Sequence, residues 1–503
     1  MNWNTRIVAC LSLGAMASLT GCMVGPNYSR PPTTMPAAYR ELGSGPTTQP
    51  APAGDAAAGE IRWWRQFDDP QLTSLVEKAV TANNSVAVAE ARLREARAGR
   101  QMVQSLLYPT VGVGASVLRF RAPQAALDVP QGMLNLEHNL FQVGFDAVWV
   151  VDVFGGIRRS VESAKANEQA VDAVRRGVVL MVASETARAY LELRGVQRQL
   201  QVERMTLEEQ RQTLTITEDK RRNGLSSDLE VVRARTEVES TAAEIPPLEQ
   251  AIRQYIHVLS TLLGLEPTAL SGELEPHVPM PMTPGQLAVG IPSDLLRRRP
   301  DIQAAERQLA SATALVGAAT AQLFPQMVLG GAAGLASSKT GDLFNGNGTN
   351  NSSSYYAAGP VINWTLFDGG RRKAGIKLTE AQVDAAKASY QDTVLRAFRE
   401  VEDAIVAVDR ARARLDDLKR LAASARESAD IARRDYQRGI LDQLTVLDAQ
   451  RQANRADMLL TQGQMSLAVN IVTLYKALGG GWEVAERVPA TQGVAETVKG
   501  QVQ

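Results

Sequence analysis

Four stretches of the chain alternate apolar and polar residues, and each pair of them is followed by a much longer stretch with helical spacing. Val111, Val113, Ala115 and Val117 fall on one side of an extended chain, with Gly112, Gly114 and Ser116 on the other. After a loop, Phe141, Val143, Phe145, Ala147, Trp149 and Val151 share a face, opposed by Gln142, Gly144, Asp146 and Asp152. The pattern returns around residues 327–336 and again where Tyr356, Ile362, Trp364 and Leu366 share a face. It predicts four strands, about 110–119, 140–152, 327–336 and 355–367, with Pro109 and Pro325 ending the helical segments before the first and third. Strands of this length with aromatics near their ends suit a tilted crossing of a bilayer. A soluble antiparallel sheet with one face on a core makes the same alternation.

The helical stretches are unusually long. No proline interrupts residues 157 to about 222, or 371 to about 438. At a rise of 1.5 Å per residue each extends roughly 100 Å, which points to coiled-coil-like packing side by side. Gly224 and Gly439 mark tight turns, each followed by a long return helix. Pro246 and Pro247 are expected to kink or interrupt the first return helix. Asp69 followed by Pro70 predicts a capped helix start further upstream.

These segments are two copies of one unit. "VFGGIRRS" (153–160) answers "LFDGGRRK" (366–373), and "SLLYPTVGVGAS" answers "AQLFPQMVLGGAAG". "RRNGLSSDLEVV" answers "YQRGILDQLTVL" at an offset near 215 residues, so the chain carries an internal duplication. The chain accordingly divides into 1–21, a signal segment; 22–60, a linker; 61–270, the first repeat; 271–290, an inter-repeat linker; 291–480, the second repeat; and 481–503, a loose tail. Gly155, Gly156, Gly369 and Gly370 are then hinges where a strand becomes a helix. Four strands cannot close a barrel, and open edges are excluded from lipid, so copies of the chain must associate. Two copies give an eight-strand barrel filled by side chains; three give twelve strands and room for a lumen. The small residues Gly112, Gly114 and Ser116 suit an unplugged interior.

Composition narrows the function. Over 503 residues, 54 basic side chains balance 54 acidic ones, which disfavours nucleic-acid binding. Arg6, the apolar stretch 7–19 and "LTGC" form a signal segment too short to span a membrane, with Cys22 at the position of a lipoprotein acceptor. Cys10 lies in the part to be removed, which leaves Cys22 as the only mature thiol and no internal disulfide. Beyond that segment no run of 18 apolar residues occurs, so a membrane crossing would need a closed β-barrel. His138, His257 and His277 lack metal-ligand spacing, and the glycines near "FGGIRR" lack the phosphate-loop Lys-Ser/Thr. No cofactor and no enzymatic constellation is expected beyond a covalent lipid on Cys22.

"WWRQFDDPQLTSLVEKA" (63–79), "IPSDLLRRRPDIQAAERQL" (291–309), "LFDGGRR" and "LYKALGGGW" (474–482) resemble the outer-membrane efflux channel family, the OprM/NodT-type lipoproteins of RND systems related to TolC. The resemblance implies a mainly α fold with β strands. It implies a homotrimer whose twelve strands form an outer-membrane barrel and whose coiled helices form a periplasmic α-barrel. Its implied partners are a periplasmic membrane-fusion adaptor, an inner-membrane RND pump and outer-membrane lipid, with the anchor on Cys22 and Met23 resembling an outer-membrane sorting signal. The family narrows its pore near the periplasmic tip, where Leu444 and Asp448 match, with Leu229 and Arg233 at the duplicated positions. Asn223, Gly224, Arg438 and Gly439 match the tips that meet the adaptor. Two other readings remain: the outer-membrane channel of a type I secretion system, and a lipid-anchored periplasmic coiled-coil scaffold.

Overall fold

The computed structural model describes residues 23–32, 36, 38–43, 48–50, 62–121, 137–285, 287–289, 298–344 and 354–483. The signal segment, Cys22, most of the linker up to 60 and most of the tail lie outside the described residues.

From the helix directly before its first strand onward, each repeat follows the same order of elements. The first contains α1 (Pro70–Ala82), α2 (Asn84–Ser105), β1 (Thr110–Arg121), β2 (Glu137–Val151), α3 (Gly156–Arg222) and α4 (Asp228–Leu262). The second contains α5 (Pro300–Ala321), β3 (Gln326–Ser337), β4 (Ser354–Asn363), α6 (Arg371–Gln437) and α7 (Gln443–Leu478). Both long helices, α3 and α6, have 67 residues. Asp69 caps α1, accepting the N–H groups of Gln71 at 2.8 Å and Leu72 at 2.9 Å.

Two expectations are corrected. Pro246 and Pro247 do not interrupt the first return helix, since both lie inside a continuous α4. Both prolines and the neighbouring Ala243 are exposed, so water can solvate carbonyls that lose their helical donors. The fourth strand ends at Asn363, four residues before the expected 367. Trp364 leaves the ladder and its indole N–H donates to the Leu323 carbonyl at 3.1 Å.

These four strands form one antiparallel sheet in the order β1-β2-β3-β4, while the short strands Thr48–Pro50 and Leu287–Val289 pair parallel in a separate two-stranded sheet. Registers such as Val113↔Phe145, Phe145↔Ala333 and Ala333↔Tyr356 carry one apolar row across all four strands. The chain divides into two compact units, and each draws on both repeats. The first comprises Met1–Pro31, Arg94–Ala170 and Glu306–Ser389, and holds the sheet. The second comprises Pro32–Leu93, Val171–Ala305 and Tyr390–Gln503.

The core of the second unit is built on Trp63, Trp64 and Phe67, all fully buried, with the Trp63 ring stacked on Tyr475 at 5.4 Å. Leu72, Leu75 and Val76 of α1, Leu191 and Leu193 of α3, Val401 and Ile405 of α6 and Ile471 of α7 complete it. A smaller cluster of Ala429, Ala432, Val446, Ala449 and Ala453 joins α6 to α7, where small side chains permit close approach of the helices.

Candidate functional site

The elements that could conduct, gate and dock are the sheet, the strand–helix junctions and the tips of the helical hairpins. In the sheet, Val111, Val113, Val117, Phe145, Leu329, Tyr356 and Ile362 share one face and are exposed. The opposite face is polar in its middle, where Gly112 pairs with Asp146, Gly114 with Gly144, and Ser116 with Gln142. It is not lined by small residues alone. The Gln142 amide donates to the Tyr355 hydroxyl at 2.5 Å, and a Cβ on Gly144 would lie 2.9 Å from that hydroxyl. The tyrosine therefore crosses the glycines. Near the junction end this face carries Val148, Val150 and Val361. Among the described residues, both outer strands, β1 and β4, have one unpaired edge.

At each junction an aspartate caps the long helix. Asp152 accepts the N–H groups of Ile157 at 3.1 Å and Arg158 at 2.8 Å, and the Arg158 side chain returns to its carboxylate at 3.3 Å. In the second repeat Asp368 accepts from Gly370 at 3.0 Å and from the Arg372 side chain at 2.7 Å. The Arg372 side chain and the two backbone bonds hold the Asp368 carboxyl below its usual range. One arginine of each basic pair, Arg158 in the first phrase and Arg372 in the second, thus serves the cap, a role that sequence reading missed although Asp152 and Asp368 were visible beside them. Of the four hinge glycines, Gly155, Gly369 and Gly370 have positive φ, whereas Gly156 begins α3 with an ordinary helical backbone. Pro109 and Pro325 directly precede β1 and β3. Trp149, like Trp364 one repeat later, donates to a backbone carbonyl, that of Leu107, at 2.9 Å.

The two tips are built alike. Gly224 (φ 74°) and Gly439 (φ 76°) turn the chain in the left-handed region. Leu225 N–H donates to Lys220 O at 2.8 Å and Gly224 N–H to Arg221 O at 2.9 Å. Ile440 N–H donates to Asp435 O at 2.9 Å and Gly439 N–H to Tyr436 O at 3.0 Å, so both α3 and α6 end in a Schellman motif. Asn223 and Arg438 stand at the C-caps. Ser227 and Glu230 form a reciprocal capping box on α4, a motif written in the sequence as Ser-x-x-Glu. Asp442 caps α7, accepting from Thr445 N–H at 2.8 Å. Leu225 and Ile440 remain 76% and 67% exposed, which leaves an apolar side chain at each tip. The hairpins meet just behind the tips: Gln443 donates to Thr217 at 2.7 Å, Lys220 lies 3.6 Å from the Tyr436 ring centroid, and Arg451 pairs with Glu237 at 2.5 Å.

Around the expected constriction, Leu229 and Leu444 are exposed, as are Arg233 and Asp448. Asp448 accepts from Gln452 at 2.9 Å. Within one chain the charge of Arg233 reaches Asp442: Thr445 first, then Arg233, holds that carboxyl below its usual range.

The remaining family-like phrases lie in the core of the second unit. Arg299, from "RRRPDI", is nearly buried and donates to Ala477 O at 2.9 Å, Asp301 at 2.6 Å and Glu400 at 2.7 Å. Trp482 donates to Arg298 O at 3.2 Å and lies under the Arg176 guanidinium at 4.7 Å. Among the described residues no group of His, Cys, Asp and Glu could hold a metal ion.

No described helix is long and apolar enough to cross a membrane. The sheet has the apolar face, and helices of such length carry the rest of the chain. This combination fits a channel-type protein of the outer membrane, the class that the comparisons show. The family model for outer membrane efflux proteins matches the chain twice, at residues 75–265 and 291–480. The chain is 32% identical over 495 residues to the antibiotic efflux pump outer membrane protein ArpC of Pseudomonas putida, covering 97% of this chain and 99% of that one. It is 31% identical over 465 residues to nodulation protein T of Rhizobium leguminosarum bv. viciae, covering 92% of each. Among solved structures, the outer-membrane channel OprN superposes with a TM-score of 0.83 at 35% identity, over 92% of this chain and all of that one. The chain belongs to the outer membrane efflux protein family. It is an outer-membrane efflux channel with a TolC-like fold, which removes the soluble-sheet and scaffold readings.

Proposed function

We propose that three copies of this chain seal edge to edge into a twelve-strand barrel, forming the exit duct of a tripartite efflux system with a periplasmic adaptor and an inner-membrane RND pump. The observation that carries this reading is the four-strand sheet, with two edges unpaired among the described residues and an exposed apolar face. Unpaired N–H and C=O groups cost several kcal/mol each in hydrocarbon, roughly the penalty of an unmade hydrogen bond. Pairing β1 of one copy with β4 of the next removes every such edge.

In this reading Cys22 carries the lipid anchor and needs no other cofactor. The exposed Leu225 and Ile440, beside Asn223–Gly224 and Arg438–Gly439, meet the adaptor's helices. Leu444 and Asp448, with Leu229 and Arg233, form the periplasmic constriction. Three Asp448 carboxylates drawn together repel unless hydrated or counter-charged, so a closed ring favours cations and opens readily. The duct conducts passively, and substrate choice rests with the pump.

The test is single-channel recording of the detergent-extracted protein in planar bilayers. The expected result is insertion with small, cation-selective conductance that rises or loses selectivity in Asp448→Ala. Absence of any conductance would contradict the duct, and an Asp448→Ala channel identical to the parent would retire the gate.

A further inference from the structure

The described chain begins one residue after Cys22, and its first residues are not a free tether. Val24 N–H donates to Phe154 O at 3.2 Å, at the junction of β2 and α3. Arg159, only 1% exposed, grips the same segment: Nε donates to Val24 O at 3.1 Å, and Nη2 to Gly25 O at 3.2 Å and to Asn27 Oδ1 at 2.8 Å. Its remaining partner is Glu162 at 2.8 Å. Without the segment, a buried guanidinium would keep one ion pair and lose three acceptors, an arrangement that folded proteins avoid.

The contact surfaces are cut to fit. Gly25 has φ 89°, and a Cβ there would collide with the Gly317 backbone. A Cβ on Gly155 would lie 2.8 Å from Met23, and one on Gly317 would lie 2.8 Å from Arg159. Further along, Tyr28 donates to Glu306 at 3.1 Å, and Arg30 pairs with Glu306 at 3.0 Å. Among the described residues the second repeat has no such seat. Exposed Lys373 stands where the first has Arg159, and nothing lies within 4 Å of a Cβ placed on Gly369 or Gly370. An ammonium could not span three acceptors as the guanidinium fork does.

We infer that the first-repeat junction is a docking seat for residues 23–30, with Arg159 as its positioning residue. The seat fixes the attachment point of the lipid at the periplasmic rim of the barrel. The anchor then enters the bilayer at one set place per subunit instead of wandering on the linker. The seat joins residues from both repeats, so it forms only after they fold together, and the segment stays free for acylation until then. The anchoring role rests on the lipidation of Cys22 proposed above; the docking itself does not.

Hydrogen exchange of the membrane-extracted full chain, combined with mass analysis of its N-terminal peptide, tests both parts. Wild type should protect residues 23–28 and carry acyl mass. Arg159→Ala, Arg159→Lys and Gly25→Val should each lose protection there to the level of a free peptide while keeping the acyl mass. Gly25→Val alters only the docked segment, so it decides the matter if the Arg159 variants fail to fold. Protection unchanged in Gly25→Val would overturn the seat. An N-terminal peptide without acyl mass would overturn the anchoring role, whatever the exchange pattern.

Discussion

Arg299 illustrates how much of this fold hangs on single polar side chains. Burial works against its charge, but Asp301 and Glu400 outweigh that and raise its pKa further. Gly479, just past α7, allows the close approach, since a Cβ there would lie 2.9 Å from Arg299. Arg299→Ala is expected to destabilise the protein by about 2 kcal/mol, the range for charge-assisted bonds discounted for half-exposed carboxylates. Arg299→Lys should recover only part of this. Denaturant midpoints measure both, and an unchanged midpoint in Arg299→Ala would contradict the role. Some residue roles were legible in the sequence because one residue type has one physical use there: Gly224 and Gly439 at left-handed turns, Asp69 before Pro70. Arg159 and Arg299 were not legible as clamps. Beside one near neighbour each, Glu162 and Asp301, their other partners lie more than a hundred residues away, and an arginine in a basic phrase reads first as a solvated charge.

At the scale of elements, alternation located the strands because pleated chains expose every second residue to one face. It overran β4, since Trp364 and Leu366 continue the alternation after the ladder has ended. Helix length followed from the absence of proline, yet two prolines sat inside α4 without breaking it because water reaches that face. The caps make the tips sensitive to acid. Asp442 is held below its usual value of 3.8, so its contribution to the first turn of α7 is fully present above about pH 4. It is lost as pH falls through the depressed folded value. Exchange protection of the Thr445 amide, corrected for intrinsic rates, should therefore drop between about pH 6 and about pH 2.5. In Asp442→Asn, which caps without titrating, it should stay level. Equal protection of the wild type at both pH values would count against this account.

For the whole molecule, the duplication explains why each chain supplies two strand pairs and two helical hairpins. Both copies place the same junction, turn and tip at matching positions, so repeated chemistry meets repeated geometry. The departures between copies are informative: among the described residues only the first repeat has an arginine clamp and a docked neighbour, and only the first hairpin has prolines in its return helix. The arrangement of several chains was not legible from one of them beyond a constraint. Among the described residues two sheet edges stay open, and hydrocarbon does not tolerate open edges. Native mass measurement of the folded, membrane-extracted protein tests that constraint most directly. The account predicts a single species of three chains, each with its lipid; a well-folded, membrane-embedded species of one chain would contradict it.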